Sequence, residues 1–395
     1  MLNVFSSKRF DNDIVLKNNS KKVCKKDLEQ YVKTNIPILK TKKQNVVILT
    51  NDILTFTINF LAAVFTNKTI YLTDDINKLK SLNIEFDIIK TYETNFDKDS
   101  DIELLEINTD EIFINLLTSG SSGAPKCITK SLSNLIKEAQ DINETFKINP
   151  MNLLISCSTD FSHLFGLTFG FMFPLCNNHI INLNRIEYPD KIEDENTFLV
   201  STPSFLDTFK KNNIIPNNIK YIASAGSKLN EKTFEYIEKF ANIIEIYGST
   251  ETGVIAYKTH YADKTLTPFK SVKIIPFENS TLVVTPYAYE KEIEINDKIK
   301  IQGDKITLLE RTDRLLKIQE KRISAELIEK VLNKNEFVLE NYCFKIQDKI
   351  GCYCALTENG KKFLLNNGTI ELIKKLKAFL KPKFEIIPQK WKFTD

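Results

Sequence analysis

The sequence predicts an α/β protein: a large N-terminal body of stacked βαβ units with largely parallel sheets, a β subdomain, and a small α+β domain at the C-terminal end. Three observations carry that prediction. Short apolar runs at residues 45–50, 69–72, 153–156, 197–200, 220–224 and 242–246 have the length of strands. Most are separated by longer stretches with helical spacing, such as 132–146 and 231–240, and this alternation is the mark of βαβ units. At 395 residues the chain also exceeds the size at which a single core stops growing.

Past the body the pattern changes twice. From about 258 to 306 it consists mainly of strands with Pro and Asn/Asp turns, which predicts the β subdomain. After 313 come a basic strand-like stretch, a helix at 325–334, strands near Tyr342 and Cys352, and a helix at 370–380. The expected division is therefore 1–312 and 313–395, with no internal repeat and no low-complexity tract.

Composition narrows the class of function. The formal net charge is +3, and Lys is interspersed with Asp and Glu, so no basic face marks a nucleic-acid partner or an anionic membrane. The longest apolar stretch, 161–175, is interrupted by His163, Gly166, Gly170 and Pro174, which argues against membrane insertion. The first residues lack the apolar core of a signal peptide, so a cytoplasmic location is expected. Seven cysteines include no C-x-x-C pair, and Cys352 and Cys354 alternate along one strand face, as expected of reduced, buried thiols rather than a metal site.

Three segments carry chemistry. Residues 118–126 read TSGSSGAPK and follow the apolar run 111–117. Gly120 and Gly123 allow backbone N–H groups to turn inward, Thr118, Ser119, Ser121 and Ser122 add hydroxyl donors, and Lys126 adds a positive charge, a combination suited to phosphate. The spacing is not that of a Walker A loop. A plain connector between strand and helix is the bland alternative. Residues 246–253 read IYGSTETG, again a strand opening into Gly and hydroxyl residues; Glu251 beside hydroxyls suits Mg²⁺ shared with a nucleotide, and Tyr247 suits stacking on a base or sugar. A surface turn capping a helix at Thr250 or Thr252 is the alternative there. The small residues of 224–227, SAGS, allow a flat ring close to the backbone, and ligands of such sheets gather at the carboxyl ends of strands.

Taken together, TSGSSGAPK, SAGSKL, IYGSTETG and ERTDRLLKIQEKRIS resemble, in order and spacing, the core motifs of the adenylate-forming superfamily of acyl- and aryl-CoA synthetases, nonribosomal peptide adenylation domains and luciferases. The likeness runs from about residue 45 to the C-terminus. It implies carboxylate activation: acid and ATP give an acyl-adenylate and pyrophosphate, and the thiol of CoA or of a phosphopantetheinyl carrier protein then takes the acyl group. Carried over, the 118–126 loop with Lys126 holds the ATP phosphates, and Ala225, Gly226 and Tyr247 frame adenine within the SAGS and YGS segments, the latter including Gly248 and Ser249. Thr250 contacts phosphate, and Glu251 holds Mg²⁺. Asp297 takes the ribose hydroxyls, with Asp304 as rival in what looks like a Gly303-Asp304 turn, and Arg311 reaches ribose or phosphate. Asp313 is the hinge of a mobile small domain. His163, Phe165 and Gly166 border the acyl pocket, and the surrounding phenylalanines fit a hydrophobic or aromatic acid as well as they fit core packing.

Two departures from the superfamily shape the expectation. Glu320 stands where most members have a glycine along the pantetheine channel, and the chain is similar there to compact ligases that accompany type II fatty acid and aryl polyene synthases, which implies an acyl carrier protein as acceptor. Residues 388–395 resemble the segment directly before the superfamily's final P-x-x-x-x-G-K motif, so the sequence is expected to stop short of that catalytic Lys: either the natural protein ends early, or the sequence is cut there, or Lys390 or Lys392 stands in. A nonenzymatic relative that binds nucleotide or acyl-adenylate remains the alternative function.

Overall fold

The computed structural model describes residues 9–80, 82, 84–93, 102–104, 106–119, 125–148, 152–192, 196–216, 218–278, 280–311, 315–318, 321–346 and 349–394. The chain divides into two compact units. One comprises Met1–Ile274, Val283–Ile293 and Gln302–Ile306; the other comprises Ile275–Leu282, Glu294–Ile301 and Thr307–Asp395.

The first unit opens with an antiparallel pair, β1 (Ile14–Lys17) and β2 (Lys22–Cys24), followed by α1 (Lys25–Lys40). Next come β3 (Asn45–Ile48), α2 (Ile53–Phe65), β4 (Thr69–Leu72), α3 (Ile76–Lys80) and β5 (Asp87–Ile89). They are followed by β6 (Phe113–Ser119), β7 (Pro125–Ser131) and α4 (Leu132–Phe146). Strand β8 (Leu154–Cys157) leads to a π-helical segment over Gly166–Met172, then α5 (Phe173–Cys176) and β9 (Ile180–Asn182). The alternation resumes with β10 (Thr197–Ser201), α6 (Pro203–Lys211), β11 (Ile219–Ser224), α7 (Glu231–Ile237) and β12 (Asn242–Ser249), and ends in β13 (Gly253–Lys258) and β14 (Thr267–Pro268).

These strands form a nine-stranded sheet, β14-β13-β12-β11-β10-β8-β9-β1-β2, and a five-stranded sheet, β5-β3-β4-β6-β7. The stretch from β12 to β1 is parallel throughout, as is the stretch from β5 to β6. Parallel strands are covered on both faces, which is why β8 and β10 are buried at every position and read as continuous apolar runs. Each parallel array carries an antiparallel partner after its motif strand: β7 returns along β6, and β13 returns along β12. Within 118–126, Thr118 and Ser119 close β6, Pro125 and Lys126 open the antiparallel β7, and α4 follows one strand later.

Helix α2 is buried from Ile53 to Val64, and Phe56 and Phe60 each meet Phe171 edge-on at 5.0 Å between centroids, tying α2 to the π-helical segment. Helix α4 starts where Ser131 Oγ accepts the Asn134 N–H at 3.2 Å in a capping box.

In the second unit, the hairpin of Leu315–Ile318 and Lys321–Ser324 leads to helix Ala325–Leu332, capped by Ser324, and to the antiparallel strands Val338–Ile346 and Lys349–Leu356. Strand Lys390–Thr394 joins the far edge of Lys349–Leu356 in parallel. The core gathers Ile328, Leu332, Cys352, Cys354, Leu372, Leu376 and Leu380. The expected helix at 370–380 is the second half of a longer one, Glu358–Leu380, kinked at Gly368. Cys352 and Cys354 share the buried face as free thiols.

Candidate active site

Both motif hairpins rise from the carboxyl ends of parallel strands, where ligands of α/β sheets collect. Lys126, the second residue of β7, lies opposite Thr118 in the ladder, and its ammonium meets Glu251 Oε1 at 3.0 Å. A residue from the five-stranded sheet and one from the nine-stranded sheet are thereby joined, and with them the segments 118–126 and 246–253. Lys126 remains 57% exposed and Glu251 33% exposed, so the pair is open to a ligand. Burial opposes ionisation of Glu251, yet the Lys126 hydrogen bond and charge together with backbone and Ser249 hydrogen bonds hold its carboxyl below the usual carboxylate range. Gly120, Ser121, Ser122 and Gly123 lie outside the described residues, while the backbone of Ser119 closes β6 opposite Pro125.

The β12–β13 tip is built by its own hydroxyls. Ser249 N–H donates to Thr252 Oγ1 and Thr252 N–H donates to Ser249 Oγ, both at 3.2 Å, which draws Thr252 into the interior and leaves Thr250 and Glu251 half-buried at the apex. Gly253 follows at φ +74°, and a Cβ there would sit 2.6 Å from Glu138 Oε1 and 2.8 Å from Tyr287 Cβ, so the close approach requires glycine. Gly248 is exposed on the strand, beside half-buried Tyr247.

The SAGS segment sits next in line. Strand β11 ends at Ser224, paired with Glu245 of β12, and Ala225 is buried while Gly226 is exposed at φ +99°. That turn is anchored from below: Glu245 Oε1 accepts the Leu229 N–H at 2.7 Å, and its other oxygen lies 3.2 Å from Lys258 Nζ in a buried pair. Glu245 and Lys258 were not foreseen; both occupy strand positions whose charge has no place in an apolar run unless it is paired.

Two adjoining cavities, the second the larger, open at the carboxyl ends of β3, β4 and β8. They share Thr50, Asn51, Phe56 and Asp160, and the smaller adds Cys157 and Arg185, the latter ion-paired with Asp160. The 160–170 segment adjoins them through Asp160, Phe161 and Ser162. His163 itself is exposed; Phe165 packs on Phe169 at 5.1 Å; Gly166 opens the π-helical segment against the Asp160 carbonyl. π-helical segments recur at functional sites.

Asp297 and Arg311 belong to the second unit. Asp297 opens strand Asp297–Gln302 and Arg311 closes strand Lys305–Arg311, while Gly303 and Asp304 form the turn between them. Asp313 and Glu320 lie outside the described residues. Lys390 pairs with Gly351, and Lys392 lies 5.7 Å from the centre of the Tyr353 ring.

Residues 42–286 match the family model described as AMP-binding enzyme. The chain belongs to the AMP-binding enzyme family. This member of the family is 25% identical over 228 residues to a 4-coumarate–CoA ligase from Cereibacter sphaeroides, a match that spans 55% of this chain and about half, 53%, of that protein. Its fold is that of o-succinylbenzoate CoA synthetase from Bacillus subtilis, solved with its acyl-adenylate intermediate, at a TM-score of 0.80 and 15% identity over 100% of this chain and 95% of the other. A benzoate CoA ligase from Burkholderia xenovorans is similar at a TM-score of 0.72 and 15% identity, over 98% and 94% of the two chains. No helix among the described residues is long and apolar enough to cross a membrane.

Proposed function

We propose that this chain is an AMP-forming acid–thiol ligase. A carboxylate oxygen of the acid attacks the α-phosphorus of ATP; the O–P bond forms, the bond to the β,γ-pyrophosphate breaks, and acyl-adenylate and pyrophosphate result. A thiol of CoA or of a phosphopantetheinyl acyl carrier protein then attacks the acyl carbon, loses its proton, and displaces AMP. The single observation that supports this most directly is the Lys126–Glu251 contact, which sets an ammonium and a carboxylate side by side above two strand ends.

In this reading the Lys126 ammonium and the backbone of 118–126 bind the phosphates, and Thr250 donates its hydroxyl to phosphate. Ala225, Gly226 and Tyr247 hold adenine; Asp297 and Arg311 hold the ribose and phosphate; Asp313 is the hinge. Glu251 holds Mg²⁺. One carboxylate beside hydroxyls fits that ion, which takes few protein ligands and completes its shell from phosphate and water. Among the described residues no group of three or more His, Cys, Asp or Glu that could hold a metal ion gathers. When bound, Mg²⁺ neutralises charge on the departing pyrophosphate.

The acid is small and hydrophobic or aromatic, in keeping with Phe56 and Phe161 at the cavities and with the acids named for the similar proteins. The test is pyrophosphate release from ATP and Mg²⁺ over a ladder of fatty and aryl acids, with CoA and a carrier protein compared as acceptors. Acid-dependent release, lost in Lys126→Ala with Glu251→Ala, is expected. ATP binding without release for any acid would leave only a nucleotide-binding relative.

A further inference from the structure

Beneath the β12–β13 tip lies a buried polar network that the motifs do not include. Lys130, near the end of β7, is fully buried, and its ammonium donates to the Tyr287 carbonyl at 2.6 Å and to the Glu251 carbonyl at 3.3 Å. Glu138, one turn and a half into α4, is 1% exposed. Its Oε1 accepts the Val254 N–H at 2.7 Å, and its Oε2 accepts the Thr168 hydroxyl at 3.1 Å. The main chain of the tip is therefore held on both sides of its apex, by a cation on the carbonyl of Glu251 and by a carboxylate on the amide of Val254. Tyr287 closes the frame: its hydroxyl donates to Asp141 Oδ2 at 2.8 Å, and Thr285 Oγ1 donates to the Thr252 carbonyl at 3.3 Å.

Burying two charges is costly unless each meets partners, and cheaper apolar packing would stabilise a plain turn as well or better. What apolar packing cannot do is fix the direction of one carbonyl and one amide at the tip, whose apex residues Thr250 and Glu251 are only half-buried. We propose that Lys130 and Glu138 are positioning residues, which orient the Glu251 carboxylate for a nucleotide-bound divalent cation and tie that orientation, through Thr168, to the π-helical segment Gly166–Met172. The proposal rests on Glu251 being the metal residue of the ligase reading. Groups that orient a metal's ligand typically change metal affinity or activity by about 10–100-fold when removed.

The test compares Lys130→Met and the nearly isosteric Glu138→Gln with Leu135→Ala, a cavity variant that removes no polar group, at a buried position of the same helix as Glu138. Calorimetry measures the affinity for a nonhydrolysable ATP analogue with and without Mg²⁺. The two polar variants should lose about 10–100-fold of the affinity gained from Mg²⁺, and kcat of pyrophosphate release should fall with little change in the KM of the acid. Leu135→Ala should keep both, whatever it loses in Tm. Polar variants that retain the Mg²⁺ gain, a control that loses it equally, or a wild type with no such gain would each overturn the proposal. If Lys130→Met does not fold, Glu138→Gln carries the test alone. A wild type that shows the Mg²⁺ gain yet releases no pyrophosphate with any acid sinks the ligase reading and leaves the positioning role measurable by affinity.

Discussion

Replacing Lys126 with Met separates what the Lys126–Glu251 contact does for the fold from what it does for the reaction. The pair is close at 3.0 Å, but Lys126 is 57% exposed and Glu251 33% exposed, so solvent screens most of the attraction. Such surface pairs contribute about 0.2–1 kcal/mol, and in a unit of this size that corresponds to a Tm change under about 4 °C. In the proposed reaction the same ammonium binds phosphate oxygens where charge develops, and there it should matter far more: loss of one such donor costs about 10²–10³ in rate, or about 2.7–4 kcal/mol of transition-state stabilisation. Differential scanning fluorimetry and acid-dependent pyrophosphate release on one preparation of Lys126→Met measure both quantities. Near-native melting with a rate drop of at least about a hundredfold is the expected outcome. Native rate in a folded variant, or a rate loss matched by a large fall in Tm, would refute it.

Three further outcomes follow from the packing. Gly253→Ala must adopt φ +74° and thrust a methyl toward Glu138 and Tyr287, so it should destabilise by at least about 1–2 kcal/mol in chemical denaturation; a neutral effect contradicts the close approach. Glu245→Leu strips a buried ammonium of its partner and leaves the Leu229 amide without an acceptor, which should cost about 3–5 kcal/mol, with Lys258→Met in the same background regaining part of it; equal stability of single variant and wild type would contradict the pairing. Burial pushes the Lys130 ammonium down to about 8 from its ordinary 10.5, against the opposing pull of Glu138 and Glu251. Between those values the unfolded chain binds the extra proton, so this group makes stability rise with pH from about 8 to 10.5 and lose that contribution as pH falls through 8. Lys130→Met should remove a slope of up to ~1.4 kcal/mol per pH unit, read from denaturation midpoints across that window.

The strands were legible because parallel strands buried on both faces leave continuous apolar runs: β4 and β10 to β12 start within a residue of where composition puts them. Helix α2 was not legible, since a helix buried all round has no apolar stripe and its ILTFTINFLAAVF carries no period. Nor was the place of β1, whose partner β9 lies more than 160 residues away and is set by tertiary pairing alone. In the site, Gly and hydroxyl residues flagged both hairpin tips, and family resemblance assigned their roles. Lys130, Glu138 and Glu245 escaped notice because a charged residue in a predicted strand or helix looks like a solvated face; only burial distinguishes it. A Lys or Glu standing where the apolar face of its element should fall is the one signal that would have found them.

In the proposed reaction the Lys126 ammonium and a Mg²⁺ ion held by Glu251 grip one triphosphate so that an acid can displace pyrophosphate. Exchange of labelled pyrophosphate into ATP measures that reversal of adenylation without any thiol acceptor. Acid-dependent exchange that vanishes in Lys126→Met is the predicted result; a chain that binds MgATP yet exchanges nothing with any aryl or fatty acid, or yields ADP instead, contradicts the account.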